Sequence, residues 1–271
     1  MFVFNYENSS NSRWALNIWG CSLPRFMIKS AFKGLLKRSG FHLFTNGSLP
    51  PGVDWLLDLK KLGLHASVTF FDVGANVGQT IFEVRASFPQ ASIFAFEPFP
   101  VTFGTLQERT AHLKNVQIFP LALGASPGAL QVNTRENSVL NSLVGAAQAT
   151  ESAPRDAGSV LVTMDSLQHF CAQHEIDVID VLKTDTEGYD LEVLRGAGEL
   201  LGPGRVHYVY AEVTFCAQNR QNTPFSPLFD YLAEKNFRLL GLYETYTLHH
   251  FPEPNVFCNA LFVHRSHHVN T

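Results

Sequence analysis

The residues with the clearest chemistry are two acids, each at the end of an apolar run. Asp72 follows Val68–Phe71 and leads into Val73-Gly74-Ala75-Asn76-Val77-Gly78, and Glu97 follows Ala91–Phe96, 25 residues further on, ahead of Pro98. Both runs read as buried strands, and Gln79-Thr80-Ile81-Phe82-Glu83-Val84 as the start of a helix. Glycines between strand and helix permit a tight turn and let the backbone approach a ligand, which a Cβ would obstruct. A strand, a glycine turn, a helix and a second strand ending in an acid form the frame that binds nucleoside cofactors. The ligand then lies beyond the strand C-termini, with the second acid on the ribose.

The turn reads D-x-G-x-x-x-G rather than G-x-G-x-x-G. A pyrophosphate needs a glycine-rich helix N-terminus free of nearby negative charge. Asp72 places a carboxylate there, which repels phosphate and suits an ammonium group. S-adenosylmethionine carries an α-amino group, a sulfonium and a ribose but no phosphate, and is therefore the expected cofactor. The competing reading of Asp72 is a cap on the following helix.

The rest of the chain supplies the elements that must hold these acids. Strands and helices alternate: a helix over Val101–His112, a strand over Val116–Leu121 closing on Ala122-Leu123-Gly124, and short strands at Ala129–Asn133 and Val160–Thr163. Asp165 reads as the N-cap of a helix over Ser166–His174. Val178–Lys183, Val206–Val213, Phe237–Tyr243 and Val256–His264 read as strands. Helices are expected over Tyr189–Arg195, stopped by Gly196 and Gly198, and over Pro227–Lys235. The 271 residues are 45% hydrophobic and 16% charged, enough for one sizeable α/β domain, residues 51–271, behind an extension, residues 1–50.

Charge is unevenly spread. Residues 1–48 hold Arg13, Arg25, Lys29, Lys33, Lys37 and Arg38 against Glu7 alone, so the body carries the acidic excess. Residues 24–38 form a basic amphipathic helix pattern, which either packs on the main domain with a solvated basic edge or meets an anionic partner or the inner face of a membrane. The acidic body excludes a nucleic-acid partner. The four cysteines show no C-x-x-C pair, no apolar run is long enough for a membrane span, and the N-terminus lacks a signal-peptide pattern. A reduced, cytoplasmic setting is expected.

The glycine turn, Phe96-Glu97-Pro98, Ala122-Leu123-Gly124 and the block Leu182-Lys183-Thr184-Asp185-Thr186-Glu187-Gly188-Tyr189-Asp190-Leu191-Glu192-Val193-Leu194-Arg195-Gly196-Ala197 together resemble the FkbM family of methyltransferases. The resemblance covers residues 65–265, and departs where Thr184 and Thr186 replace aliphatic residues. It implies a class I, Rossmann-like methyltransferase fold, a seven-stranded and mostly parallel sheet with the last strand antiparallel. It also implies methylation of hydroxyl oxygens, often on sugars or polyketide-derived rings. By match to the family's motif, Asp72, Gly74, Ala75, Asn76 and Gly78 should line the methionine end of the cofactor. Glu97, followed by Pro98, should accept the ribose hydroxyls, and Phe99, Ala122 and Leu123 should border the adenine.

Methyl transfer to a hydroxyl benefits from a general base. Asp185, Glu187 and Glu212 fall just past two adjacent strand ends as the catalytic carboxylates, with Asp185 or Glu187 the expected base. Glu187 alternatively opens the next helix as a first-turn acid, and a divalent ion on these carboxylates is a third reading, though no metal ligand set is assigned. Asn141 and Ser142, in the long insertion, and His249 are candidate contacts for a small-molecule or glycan acceptor. A sugar-nucleotide oxidoreductase or epimerase using NAD would share the sheet, but its phosphate-binding glycine run and Tyr-x-x-x-Lys pair do not occur. A non-catalytic binding module would have lost the acids.

Overall fold

In the computed structural model the described residues are 38–39, 49–133, 159–216, 218–219, 221–248 and 255–267. The basic pattern over 24–38 lies outside them apart from Arg38. By its contacts the chain divides into Met1–Val53 and Asp54–Thr271, and the second unit carries every element below.

The central sheet runs β3 (Val116–Phe119), β2 (Ser92–Phe96), β1 (Thr69–Val73), β7 (Ile179–Thr184), β8 (Val206–Thr214), β11 (Asn255–His264) and β10 (Phe237–Leu248), with the two-residue β9 (Thr223–Pro224) beside β8. All pairs along this order are parallel except those of β11, which is antiparallel to both β8 and β10. The strands are apolar on both faces because both are covered. Phe71, Val73, Leu182, Val209 and Phe262 belong to one core, and Phe70, Val181, Tyr208, Tyr210 and Leu261 to the other. That alternation is the strand's period of two.

Helices α1 (Trp55–Lys61), α2 (Gln79–Ser87), α3 (Pro100–Thr110), α4 (Leu167–Gln173), α5 (Asp190–Ala197) and α6 (Phe225–Glu234) flank the sheet. Asp54 caps α1 by accepting the Leu57 N–H at 2.8 Å, and Trp55 then stacks on Tyr210 at 4.1 Å between ring centroids. Among the described residues no helix is long and apolar enough to cross a membrane.

Four details depart from the sequence reading. A second sheet joins β4 (Ala122–Leu123), β6 (Ser159–Asp165) and β5 (Gly128–Asn133). The chain leaves the central sheet after Phe119 and joins the second sheet at Ala122. Ser166, not Asp165, caps α4: its hydroxyl accepts the His169 N–H at 3.2 Å, while the Asp165 carboxylate binds the His169 ring at 2.8 Å. Gly196 lies inside α5 instead of stopping it, since a Cβ there would sit 1.9 Å from the Gly124 carbonyl oxygen. Finally, β10 continues to Leu248, accommodating a register shift between Tyr243 and Tyr246.

Candidate active site

The C-terminal tips of β1, β2, β7 and β8 meet at one end of the sheet, and the functional side chains sit on them. Asp72 is the last residue but one of β1 and pairs in register with Lys183 of β7. Its Oδ1 accepts from Lys183 Nζ at 3.2 Å, and the same ammonium donates to Asp185 Oδ2 at 3.2 Å. Asp72 therefore bonds across the sheet and caps no helix. The residue at the N-cap of α2 is Gly78, without a side-chain bond. Burial raises the Asp72 carboxyl, with Lys183 opposing the shift. Burial alone would push the Lys183 ammonium down, but Asp72 and Asp185 outweigh it and hold it above its ordinary range. The second Asp72 oxygen, Oδ2, is buried without a hydrogen-bond partner.

Glu97 follows β2 and is oriented by backbone amides. Its Oε2 accepts the Asn76 N–H at 3.1 Å and its Oε1 the Phe99 N–H at 2.9 Å. Each oxygen keeps one lone pair. Burial pushes this carboxyl up to about 7 despite both amides. The turn between is fixed by Asn76 at φ 50° and by Gly74 and Gly78 at φ 82° and 88°. The absent Cβ of Gly74 makes room for protein rather than ligand: it would lie 1.9 Å from the Asp185 carbonyl oxygen. That of Gly78 would lie 2.9 Å from Leu106 on α3. The two glycines thus lock the β1 turn against the β7 turn and α3.

The adenine candidates divide. Phe99, at the N-cap of α3, clusters with Ala122 and Val162, whereas Leu123 points into the main core. Pro98 is half-buried and Ala75 buried in the opposite core. Asn141, Ser142 and His249 lie outside the described residues.

Glu187 and Gly188, at φ 52° and 92°, form a left-handed turn ahead of α5, so Glu187 is not a first-turn acid of that helix. Asp190 takes that place. It is fully buried, with Oδ2 accepting the Thr223 hydroxyl at 2.8 Å and Oδ1 the Thr186 N–H at 3.3 Å. Glu212 of β8 accepts from the Asn222 amide. Burial, then the charges of Asp185 and Asp190, push its carboxyl up to about 8.

A family model described as Methyltransferase FkbM domain matches residues 72–239, from the first acid of the site to the start of β10. The chain belongs to the FkbM methyltransferase family. Its fold is the Rossmann-like class I methyltransferase fold, and the family's cofactor is S-adenosylmethionine. Methyltransferase sdnD of Sordaria araneosa is 34% identical over 154 residues, 47% of this chain and 60% of that protein. Hexuronic acid methyltransferase AglP of Haloferax volcanii is 29% identical over 143 residues, 53% of this chain and 54% of that protein. The match thus spans a little over half the length of these curated relatives. The crystal structure of Methyltransferase FkbM from Methylobacillus flagellatus KT superimposes with a TM-score of 0.48 at 12% identity, covering 87% of this chain and 70% of that one.

Within residues 72–239, sequence patterns single out none of Lys183, Asp190 and Asn222 for a role in the site. A lone lysine inside the apolar run Val181-Leu182 carries a legible signal, because a buried ammonium demands a buried anion. Asp190 gave none, since its hydroxyl partner Thr223 lies 33 residues away, nor did Asn222, whose partner Glu212 stands on β8.

Proposed function

We propose that this chain transfers the methyl group of S-adenosylmethionine to a hydroxyl oxygen of a sugar, glycan or related hydroxylated product. The observation that carries the reading is the pair of buried carboxylates at neighbouring strand tips. Asp72 keeps an unpartnered oxygen, and Glu97 has both oxygens aimed by backbone amides. These acceptors fit the cofactor. Asp72 Oδ2 would take the ammonium, Glu97 the two ribose hydroxyls through its remaining lone pairs, and Phe99 with Ala122 would border the adenine. Asp72 and Asp185 together exceed Lys183 by one negative charge, which suits a cation. When bound, the cofactor supplies an electrophilic methyl on its sulfonium.

The chain must then hold the acceptor oxygen in line with that methyl and remove a proton from a poorly acidic hydroxyl. Asp185 is committed to Lys183. Glu212 is bonded to a neutral amide, and its raised affinity for a proton suits a base working near neutral pH. We assign proton removal to Glu212, with Asp185 and Glu187 contacting the acceptor. The relative named for hexuronic acid supports a carbohydrate acceptor.

Calorimetry with S-adenosylmethionine, S-adenosylhomocysteine and NAD should show binding of both sulfur ligands and none of NAD. Binding of NAD alone would overturn the reading. On an acceptor found by mass spectrometry, as the gain of a methyl for a hydrogen, Glu212→Gln should lower kcat by about 10²–10⁴. S-adenosylhomocysteine affinity should stay within about threefold, a change of under 1 kcal/mol.

A further inference from the structure

The C-terminal lip of the sheet does not end at Glu212. Asn259 of β11 lies directly opposite Glu212 in the antiparallel ladder, so the two side chains share a face. Asn259 Nδ2 donates to Glu244 Oε2 at 2.8 Å, and the Tyr210 hydroxyl donates to the same oxygen at 3.1 Å. Glu244 reaches that position because it sits at φ 50° inside the register shift of β10, which re-aims its carboxylate. Asn259 Oδ1 is buried with no partner. The next cross-strand pair outward is Tyr246 with Phe257, whose rings stack at 5.4 Å between centroids and 27° between planes. Tyr246 is 52% exposed although it stands on the same strand as buried Tyr243.

We propose that the paired strands β10 and β11 form the acceptor platform, on which Tyr246 and Phe257 carry the apolar face of a neutral sugar ring while Glu244 and Asn259 hold its hydroxyls. This inference rests on the methyltransferase reading and narrows its acceptor. An exposed aromatic face beside a carboxylate and an amide matches a pyranose, which offers C–H groups on its faces and hydroxyls on its rim. Continuity supports it as well: the row Asp185, Glu212, Asn259, Glu244 leads from the transfer site to the rings. Among the described residues the ionisable side chains along this row are carboxyls, joined by Glu83 of α2 close to Glu244, and Lys183 is taken up by Asp72 and Asp185. Such a lip repels an anionic sugar. A neutral glycoside is therefore favoured over the hexuronic acid for which the Haloferax relative is named.

The test uses the full chain saturated with S-adenosylhomocysteine and a panel of neutral methyl glycosides with their matching methyl hexuronides, titrated by calorimetry and saturation-transfer NMR. At least one neutral glycoside should bind about tenfold more tightly than its hexuronide, and Glu244→Gln should narrow that gap. Tyr246→Ala should weaken the glycoside about tenfold and Tyr246→Phe leave it within about twofold, which separates loss of the ring from a disturbed fold. Preference for hexuronides, no glycoside binding at all, or an unchanged affinity in Tyr246→Ala overturns the platform. Failure of the wild-type chain to bind S-adenosylhomocysteine instead overturns the methyltransferase reading beneath it.

Discussion

Lys183 is the residue on which the geometry of the tips depends. Its ammonium, almost wholly buried, is bonded to one fully buried carboxylate and one half-exposed one. Removing it leaves Asp72 charged in the core with no partner, a situation that typically costs about 3–5 kcal/mol. Lys183→Met should therefore lower unfolding free energy by about that amount in urea titrations. Adding Asp72→Leu to Lys183→Met removes the stranded charge as well. That double variant should regain most of the lost stability, since replacing a buried pair by apolar residues is often neutral. It should not regain cofactor binding, because Asp72 Oδ2 is gone. Recovery of both properties together would contradict the role given to Asp72. Sequence spacing showed Asp72 and Glu97 as acids at strand ends, but the bond from Asp72 to Lys183 spans 111 positions and becomes visible only in the register of β1 with β7.

The elements were more legible than their joins. Continuous apolar runs marked β1, β2, β7 and β8 because each is covered on both faces, and glycines marked the turns. What the sequence hid was where the chain changes sheet, at Pro120, and how far β10 continues past Tyr243, because a strand that leaves the core loses its apolar alternation. Gly196 has the residue type of a stop signal, but close packing is what requires glycine there. Two glycines in helices make a controlled comparison. A Cβ on Gly104 of α3 would meet nothing within 4 Å. Gly104→Ala should therefore stabilise the chain by about 0.5–1 kcal/mol, through helix propensity and a less flexible unfolded state. Gly196→Ala forces α5 away from the Gly124 carbonyl and should destabilise by about 2 kcal/mol or more, as overpacking does. Chemical denaturation of the two variants side by side checks both signs. Equal effects would mean that the α5–β4 contact has room to yield.

At the scale of the whole molecule, the carboxylates that suit the site for a cation also strain the fold. The Glu97 and Glu212 carboxyls are pushed up to about 7 and about 8 from an ordinary 4.5. A carboxyl held above its unfolded value binds more protons when folded, so its stabilising effect is full below the unfolded value and lost as pH rises through the folded one. For the buried Glu97, ionising it costs the fold about 3 kcal/mol across that window. The cofactor acts in the opposite direction, because Glu97 accepts two ribose hydroxyls only when ionised, so affinity should rise as pH passes about 7. A ligand at one hundred times its Kd adds about 2.7 kcal/mol to the folded state. The free chain should accordingly melt at a lower temperature near about pH 8.5 than near about pH 5.5, with saturating S-adenosylhomocysteine raising the melting temperature more at the higher pH. Differential scanning calorimetry over that range reads both trends at once. A stabilisation by S-adenosylhomocysteine that does not grow with pH would mean that Glu97 is already ionised in the free chain, and that its two amides rather than burial set its charge.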